Sequence, residues 1–214
     1  MEENCTAMWT RNLSPPTSLV TFFCQLMEGL HHIHSLRIAH RDISLENLLL
    51  AKQVLKICDF GVAIQCTTDT VFDAGPDRRV GKLLYMAPEI FNCQTYNPFQ
   101  ADVWSCGVVL FVMLCRAFPC ETPSNSDQRF QWLMQGNIPA VLQLYGKSLS
   151  DDVIDLLHHM LCPAASRFTT TQVLSHRWLN NYKQSRLQAA AASSSSSSSS
   201  DSSNQGLESE TKKM

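Results

Sequence analysis

Glycine is scarce in this sequence. Only eight fall among its 214 residues, and no three of them stand in a Gly-x-Gly-x-x-Gly array, so a phosphate-cradling loop of that kind is excluded from these residues. Charge is low as well. Charged residues make up 17% and the net charge is -2, with Lys and Arg scattered rather than gathered into a stripe. That excludes the electrostatic footprint of a partner such as DNA, RNA or an anionic membrane. The nine cysteines form no Cys-x-x-Cys pair and are odd in number, which removes a zinc ribbon and a complete disulfide framework. They read instead as reduced thiols among apolar neighbours. The longest apolar run, Cys106 to Cys115, is about half of a bilayer span, and the first residues carry Glu2 and Glu3 where a secretory leader is apolar. Together these absences predict a soluble intracellular protein, placed in the cytoplasm, with no nucleic-acid or membrane partner.

What is present suits one domain with a real core, since 44% of the residues are hydrophobic. Behind Pro15-Pro16-Thr17-Ser18, the residues Leu19, Phe22, Phe23, Leu26, Met27, Leu30 and Ile33 recur at helical spacing and predict a buried amphipathic helix ending near His34. Leu48-Leu49-Leu50 and Val54 to Ile57 predict a short hairpin. Residues 62 to 86 lack any period and read as a long loop, of the kind that is usually functional. Ala101 to Cys115 is apolar nearly all round, the mark of a helix buried on every side. Helices are also predicted from Asp127 to Gln135, after the Ser150-Asp151-Asp152 cap, and from Thr169 or Thr170 to His176. Beyond Tyr182 the Ala- and Ser-rich residues 183–214 hold too little apolar surface to offset chain entropy and read as a disordered tail. The result is a mainly α body with a small β-hairpin.

Three motifs carry chemistry. His40-Arg41-Asp42-Ile43-Ser44-Leu45-Glu46-Asn47 is followed by Asp59-Phe60-Gly61 and then by Ala87-Pro88-Glu89. A phosphoryl-transfer site needs little covalent help. It must place a hydroxyl, hold metal ions and balance the phosphate charge, and hard oxygen ligands suit magnesium. In these motifs the chain resembles the eukaryotic protein kinases, over residues 19 to 180. The resemblance implies ATP and Mg²⁺ as cofactors and protein Ser or Thr hydroxyls as substrates. It implies that Asp42 orients the acceptor hydroxyl and takes its proton, and that Asn47 and Asp59 hold Mg²⁺. It further implies that Gly61 gives the Asp59 loop its freedom, that Leu48, Leu49, Val109 and Met113 build the floor beneath the adenine, and that Cys58 also lies at the nucleotide. Asp102 then fixes the catalytic loop, Glu89 and Arg167 form a buried ion pair, and His40 and Phe60 belong to a hydrophobic stack.

Three departures from the family pattern stand out. Serine/threonine kinases commonly carry Lys two residues after the catalytic Asp and Thr seven residues before the Glu of Ala-Pro-Glu, whereas this chain has Ser44 and Lys82. Hydroxyl and ammonium have traded places, so Lys82 is expected to reach the γ-phosphate from the other wall. Arg41 is expected to receive a phosphate placed by an upstream kinase on Thr67, Thr68 or Thr70, or to pair permanently with Asp73 or Asp77; the usual acceptor position is Arg78. The third departure is that no glycine-rich loop or strand lysine precedes His40. Residues 1–18 therefore read as a hinge remnant and linker, and residues 19–182 as a kinase C-lobe whose β-rich N-lobe is absent from the chain. The expected function is that of a protein kinase fragment with little activity alone; the alternative is a catalytically dead binding module that competes with an intact kinase.

Overall fold

The computed structural model describes residues 3–4, 16–67, 71–73, 75, 79–182 and 184. The expected hinge and tail therefore lie almost wholly outside the described residues, as do Thr68, Thr70, Asp77 and Arg78.

Helix α1 (Pro16–Ser35) buries Phe22, Phe23, Leu26, Met27 and Leu30, a stripe at the spacing the sequence predicts. Its Gln25 reaches sideways: Gln25 Oε1 accepts the Leu55 N–H at 2.7 Å, and its Nε2 donates to the Gln53 carbonyl at 3.4 Å. Those bonds dock the hairpin of β3 (Leu48–Ala51) and β4 (Val54–Ile57), which pair antiparallel from Leu48 with Ile57 to Ala51 with Val54. Lys52 and Gln53 at its tip take φ of 47° and 65°, the left-handed pair that a two-residue turn requires.

One strand pairing extends this sheet and two more form small sheets of their own. β1 (Glu3–Asn4) adds to β3, while β2 (Ile38–Ala39) pairs with β5 (Ile64–Gln65) and β6 (Phe72–Asp73) pairs with β7 (Thr95–Tyr96), all antiparallel. The stretch from 62 to 86 is thus not the unbroken loop expected. It carries β5, β6 and a 3₁₀ turn, Leu83–Tyr85. Strands of two residues are too short to show a period, and their partners lie 20 or more residues away.

The helical half is built on α3 (Pro98–Cys115), which follows the short α2 (Pro88–Phe91). Asn97 caps it through bonds from the Phe99 and Gln100 amides, and Pro98 stands at N1, where its missing N–H costs nothing. The helix starts three residues earlier than predicted because the capping residue lies ahead of the apolar run. With those residues α3 is long and apolar enough to cross a membrane, so run length does not by itself exclude a span. Burial of 13 of its 18 residues accounts for the apolarity. Gly107 lets α6 (Asp151–Met160) approach closely, since a Cβ there would meet Leu161 Cδ2 at 2.9 Å.

α4 (Gln128–Met134) is capped by Asp127 and α7 (Thr170–Leu174) by a Thr169–Gln172 capping box, both at the expected places. α5 (Ile138–Leu144) was not anticipated, although Asn137 as cap and Pro139 in the first turn are its signals. Burial raises the thiol pKa of Cys106, and it lifts Cys115 to about 11 and Cys120 to about 12, as befits inert core thiols. The body is predominantly helical with three small sheets among the described residues.

One ion pair ties α2 to the lower helices. Arg167 holds Glu89 with two bonds, at 2.6 and 3.1 Å, and its remaining N–H groups reach the Cys162 and Gln100 carbonyls while the guanidinium lies 5.1 Å from the Trp104 ring centre. Arg167 is 4% exposed and Glu89 7%. Removing one partner strands a buried charge, so Glu89→Ala or Arg167→Ala is expected to lower stability by ~3–5 kcal/mol. Urea unfolding followed by circular dichroism checks this.

Candidate active site

The site is organised from below by Asp102, in the N-terminal half of α3 and 1% exposed. Its Oδ2 accepts the His40 amide at 2.8 Å and bonds His34 Nε2 at 2.9 Å; its Oδ1 accepts the Arg41 amide at 2.8 Å. Three donors satisfy a carboxylate that would be costly to bury alone. They also pin the loop that follows β2, where Arg41 adopts φ 69°. His34 is a supporting ligand of this carboxylate, held edge-on to Phe99 at 4.7 Å. Its neighbour His31 is structural, bonded to Thr170 Oγ1 at 3.0 Å.

His40 is fully buried, and its two ring nitrogens have different tasks. Nε2 faces the Cys58 carbonyl at 3.1 Å and must donate, so Nδ1 is left to accept the Asp42 amide at 3.3 Å. The imidazole therefore links the loop of Asp42 to the loop of Asp59.

Asp42 is 16% exposed and bonded on both oxygens. Asn47, on the 3₁₀ turn Leu45–Asn47, donates its Nδ2 to the Asp42 carbonyl and to Oδ2, both at 2.8 Å. That fixes the orientation of the amide, turning Asn47 Oδ1 the other way. Lys82 closes the remaining side. Its backbone N–H donates to Asp42 Oδ1 at 3.1 Å, and its Nζ lies 3.0 Å from Asp42 Oδ2, 2.9 Å from Ser44 Oγ and 3.4 Å from Asn47 Oδ1. The structure thus brings Asp42, Ser44, Asn47 and Lys82 into one cluster.

The second wall is Cys58-Asp59-Phe60-Gly61. The Cys58 amide and thiol both donate to the Asn47 carbonyl, at 2.9 and 3.2 Å, so the two loops share a seam. Here the left-handed residue is Asp59, with φ 63°, and not Gly61. Asp tolerates that conformation because its short carboxylate bonds locally, and Oδ1 takes the Gly61 amide at 3.2 Å. Gly61 matters for space instead, since a Cβ would come 3.1 Å from that oxygen. Phe60 touches the buried His40 edge-on at 4.8 Å and is itself 45% exposed. Leu48, Val109 and Met113 are buried at 0%, 0% and 5% exposure, and a side chain without open surface offers nothing to a nucleotide; only Leu49 of this group is half-exposed.

The donor chemistry fits magnesium in kind. Asp59 presents an exposed carboxylate and Asn47 a carboxamide oxygen, too few ligands for an all-protein cage and suited to an ion shared with phosphates. Among the described residues no group of three or more His, Cys, Asp or Glu is placed to hold a metal ion by itself.

Arg41 leads away from this cluster. Its guanidinium stands 5.8 Å from the Phe72 ring centre, and among the described residues it forms no ion pair with Asp73. Burial pushes the Tyr96 phenol up, while the charge and hydrogen bond of Arg41 pull it partly back. Thr67 is exposed.

A family model for the protein kinase domain matches residues 3–179. The chain belongs to the protein kinase family. It is similar to serine/threonine-protein kinase SRK2J of Arabidopsis thaliana, with 39% identity over 166 residues covering 73% of this chain and 46% of that protein. It is also similar to serine/threonine-protein kinase SRK2G of the same plant, 37% identical over 179 residues, 79% and 48% of the two chains. An abscisic acid-inducible protein kinase of Triticum aestivum is 36% identical over 166 residues, 73% and 47%. The chain spans about half the length of these relatives. Within the kinase domain, the resemblance is of the serine/threonine type.

Sequence reasoning missed Gly81. Its φ is +92°, and a Cβ there would stand 2.7 Å from the Arg41 carbonyl oxygen, so only glycine lets the backbone before Lys82 come down onto the catalytic loop. Its place just ahead of Lys82 was the available signal. Gly81→Ala is expected to cost ~1–3 kcal/mol of stability, read by urea unfolding. Asp102→Asn leaves one oxygen to serve three donors, so one N–H goes unpaired. It should cost a further ~1–3 kcal/mol and raise amide exchange at His40 and Arg41.

Proposed function

We propose that this chain is the catalytic and substrate-side lobe of a serine/threonine protein kinase that transfers the γ-phosphoryl group of ATP to protein hydroxyls. The observation that carries the reading is the Asp42 carboxylate, fixed by Asn47 and by the Asp102-anchored loop with little exposed surface. In this reading Asp42 orients the acceptor hydroxyl and takes its proton, and Asn47 and Asp59 hold magnesium at the phosphates. ATP with magnesium supplies the phosphoryl group when bound. Leu49 lies against the adenine, with Cys58 beside it.

The surface around Asp59 supports a further part of the reading. Phe60 and Val62 are 45% and 36% exposed beside it, an apolar face of the kind a β-rich lobe would cover. We place that lobe outside these residues, and the chain alone is then a weak catalyst because none of the described residues grips the phosphates from above. An upstream kinase acting on Thr67, Thr68 or Thr70 would supply a phosphate for Arg41. An intracellular location belongs to the same reading, and it is supported by the eight described cysteines, none of which is in a disulfide.

The test is a thermal-shift titration with Mg-ATP alongside phosphate transfer to a panel of protein substrates, on the full chain. Asp42→Asn should cut transfer by about 100-fold or more and leave the nucleotide shift unchanged. Asp59→Asn should remove the magnesium-dependent part of the shift. A chain that shifts with no nucleotide and transfers nothing, yet captures a partner protein without ATP, is the binding module instead.

A further inference from the structure

We infer that Lys82 is the cation of phosphoryl transfer in this chain, supplied to the catalytic loop by the segment after β6, so that transfer depends on where that segment lies. The inference rests on the kinase reading and deepens it. It starts from the way Lys82 is held. Both ends of the residue bind the same carboxylate, the backbone N–H on Asp42 Oδ1 and the ammonium on Oδ2. A surface lysine seldom keeps a single geometry, because its long side chain loses entropy for a screened attraction. Here the left-handed Gly81 presses the backbone against Arg41, and Ser44 Oγ, fully buried and 2.9 Å away, gives the ammonium a second fixed partner. Among the described residues no other Lys or Arg forms an ion pair with Asp42.

The ammonium is also open to a ligand. The Lys82 side chain is 38% exposed while Asp42 beneath it is 16% exposed. Two of its three N–H directions point at Asp42 and Ser44; the third ends on Asn47 Oδ1 at 3.4 Å, a long bond that a phosphate oxygen would readily replace. An acceptor hydroxyl bonded to Asp42 Oδ2 stands within reach of the same cation. In the transfer step the hydroxyl proton passes to Asp42, the new P–O bond forms to that oxygen, and the bond from the γ-phosphorus to the β-phosphate oxygen breaks, with its electron pair leaving on ADP. Negative charge is spread over the transferring oxygens, and a preorganised positive charge beside them, as Lys82 would supply, lowers the barrier.

The geometry has a regulatory corollary. The catalytic loop contributes only a hydroxyl, Ser44, at this corner, so moving residues 80–82 removes the cation along with the segment. A kinase site whose lysine sat on the catalytic loop would keep its charge through such a movement.

The experiment uses the full chain with five proteins: the starting sequence, Lys82→Met, Lys82→Thr, Ser44→Lys, and Ser44→Lys combined with Lys82→Thr. Transfer kinetics and hydrogen exchange over residues 79–85 are read for each. Lys82→Met is expected to lower kcat about 100-fold with the peptide KM changed less than about threefold, and to speed exchange of 79–85 by about tenfold. The double variant is expected to recover transfer to within about tenfold of the starting protein, far above the product of the two single losses. A kcat for Lys82→Met within threefold of the starting protein, or a double variant that matches simple multiplication, overturns the assignment. A starting chain that transfers no phosphate counts against activity of this chain alone, and exchange then decides for Lys82: unchanged protection of 79–85 in Lys82→Met overturns its hold on Asp42 and Ser44, and lost protection upholds it.

Discussion

The site depends on a carboxylate that never reaches solvent. Asp102 takes two consecutive backbone amides, those of His40 and Arg41, onto its two oxygens and adds His34 as a third donor. Because α3 is buried on every side, this carboxylate cannot move without repacking the core, and the loop it holds inherits that rigidity. Everything that follows in the chain is placed relative to it: His40 bridges to Cys58, Cys58 bonds back to Asn47, and Asn47 grips Asp42. A chain of short bonds thus carries the stiffness of a helix to a carboxylate at the surface.

The segment from Gly81 to α2 is fixed from the opposite end. Glu89, in the first turn of α2, is locked to Arg167 beneath it, while Ser105 of α3 donates to the Tyr85 carbonyl at 2.8 Å. Between these anchors and Gly81 the backbone has little slack, and Lys82 is delivered to Asp42. The space left between the catalytic loop and the segment, about 10 Å³, holds one water at most. Burial there works in favour of charge pairing, because a low-dielectric wall strengthens what is already aligned.

The polar cluster and the apolar face beside it place opposite demands on the protein. Asp42, Asn47, Ser44 and Lys82 satisfy one another, whereas Phe60 and Val62 expose apolar area next to Asp59. A phosphoryl-transfer site needs that arrangement, since the acceptor side must be preorganised before substrate arrives and the nucleotide side must exclude water after it does.

Much of this was legible in residue order. Helical spacing gave α1, an apolar run gave α3, capping residues gave α4 and α7, and the resemblance of the motifs around Asp42, Asn47 and Asp59 to those of the protein kinases implied magnesium and phosphate, because local chemistry and short intervals are written along the chain. The sequence by itself also determined that Ser44 and Lys82 are an unusual pair. It did not reveal that β5 and β6 divide the long loop, that His34 serves Asp102, that Asp59 rather than Gly61 is left-handed, or that Phe60 lies half open. Only the tertiary structure decided that Lys82 meets Ser44 and Asp42, residues 38 and 40 positions earlier, since such a contact arises from the joint packing of α3, α2 and the Gly81 turn and from no property of the intervening residues.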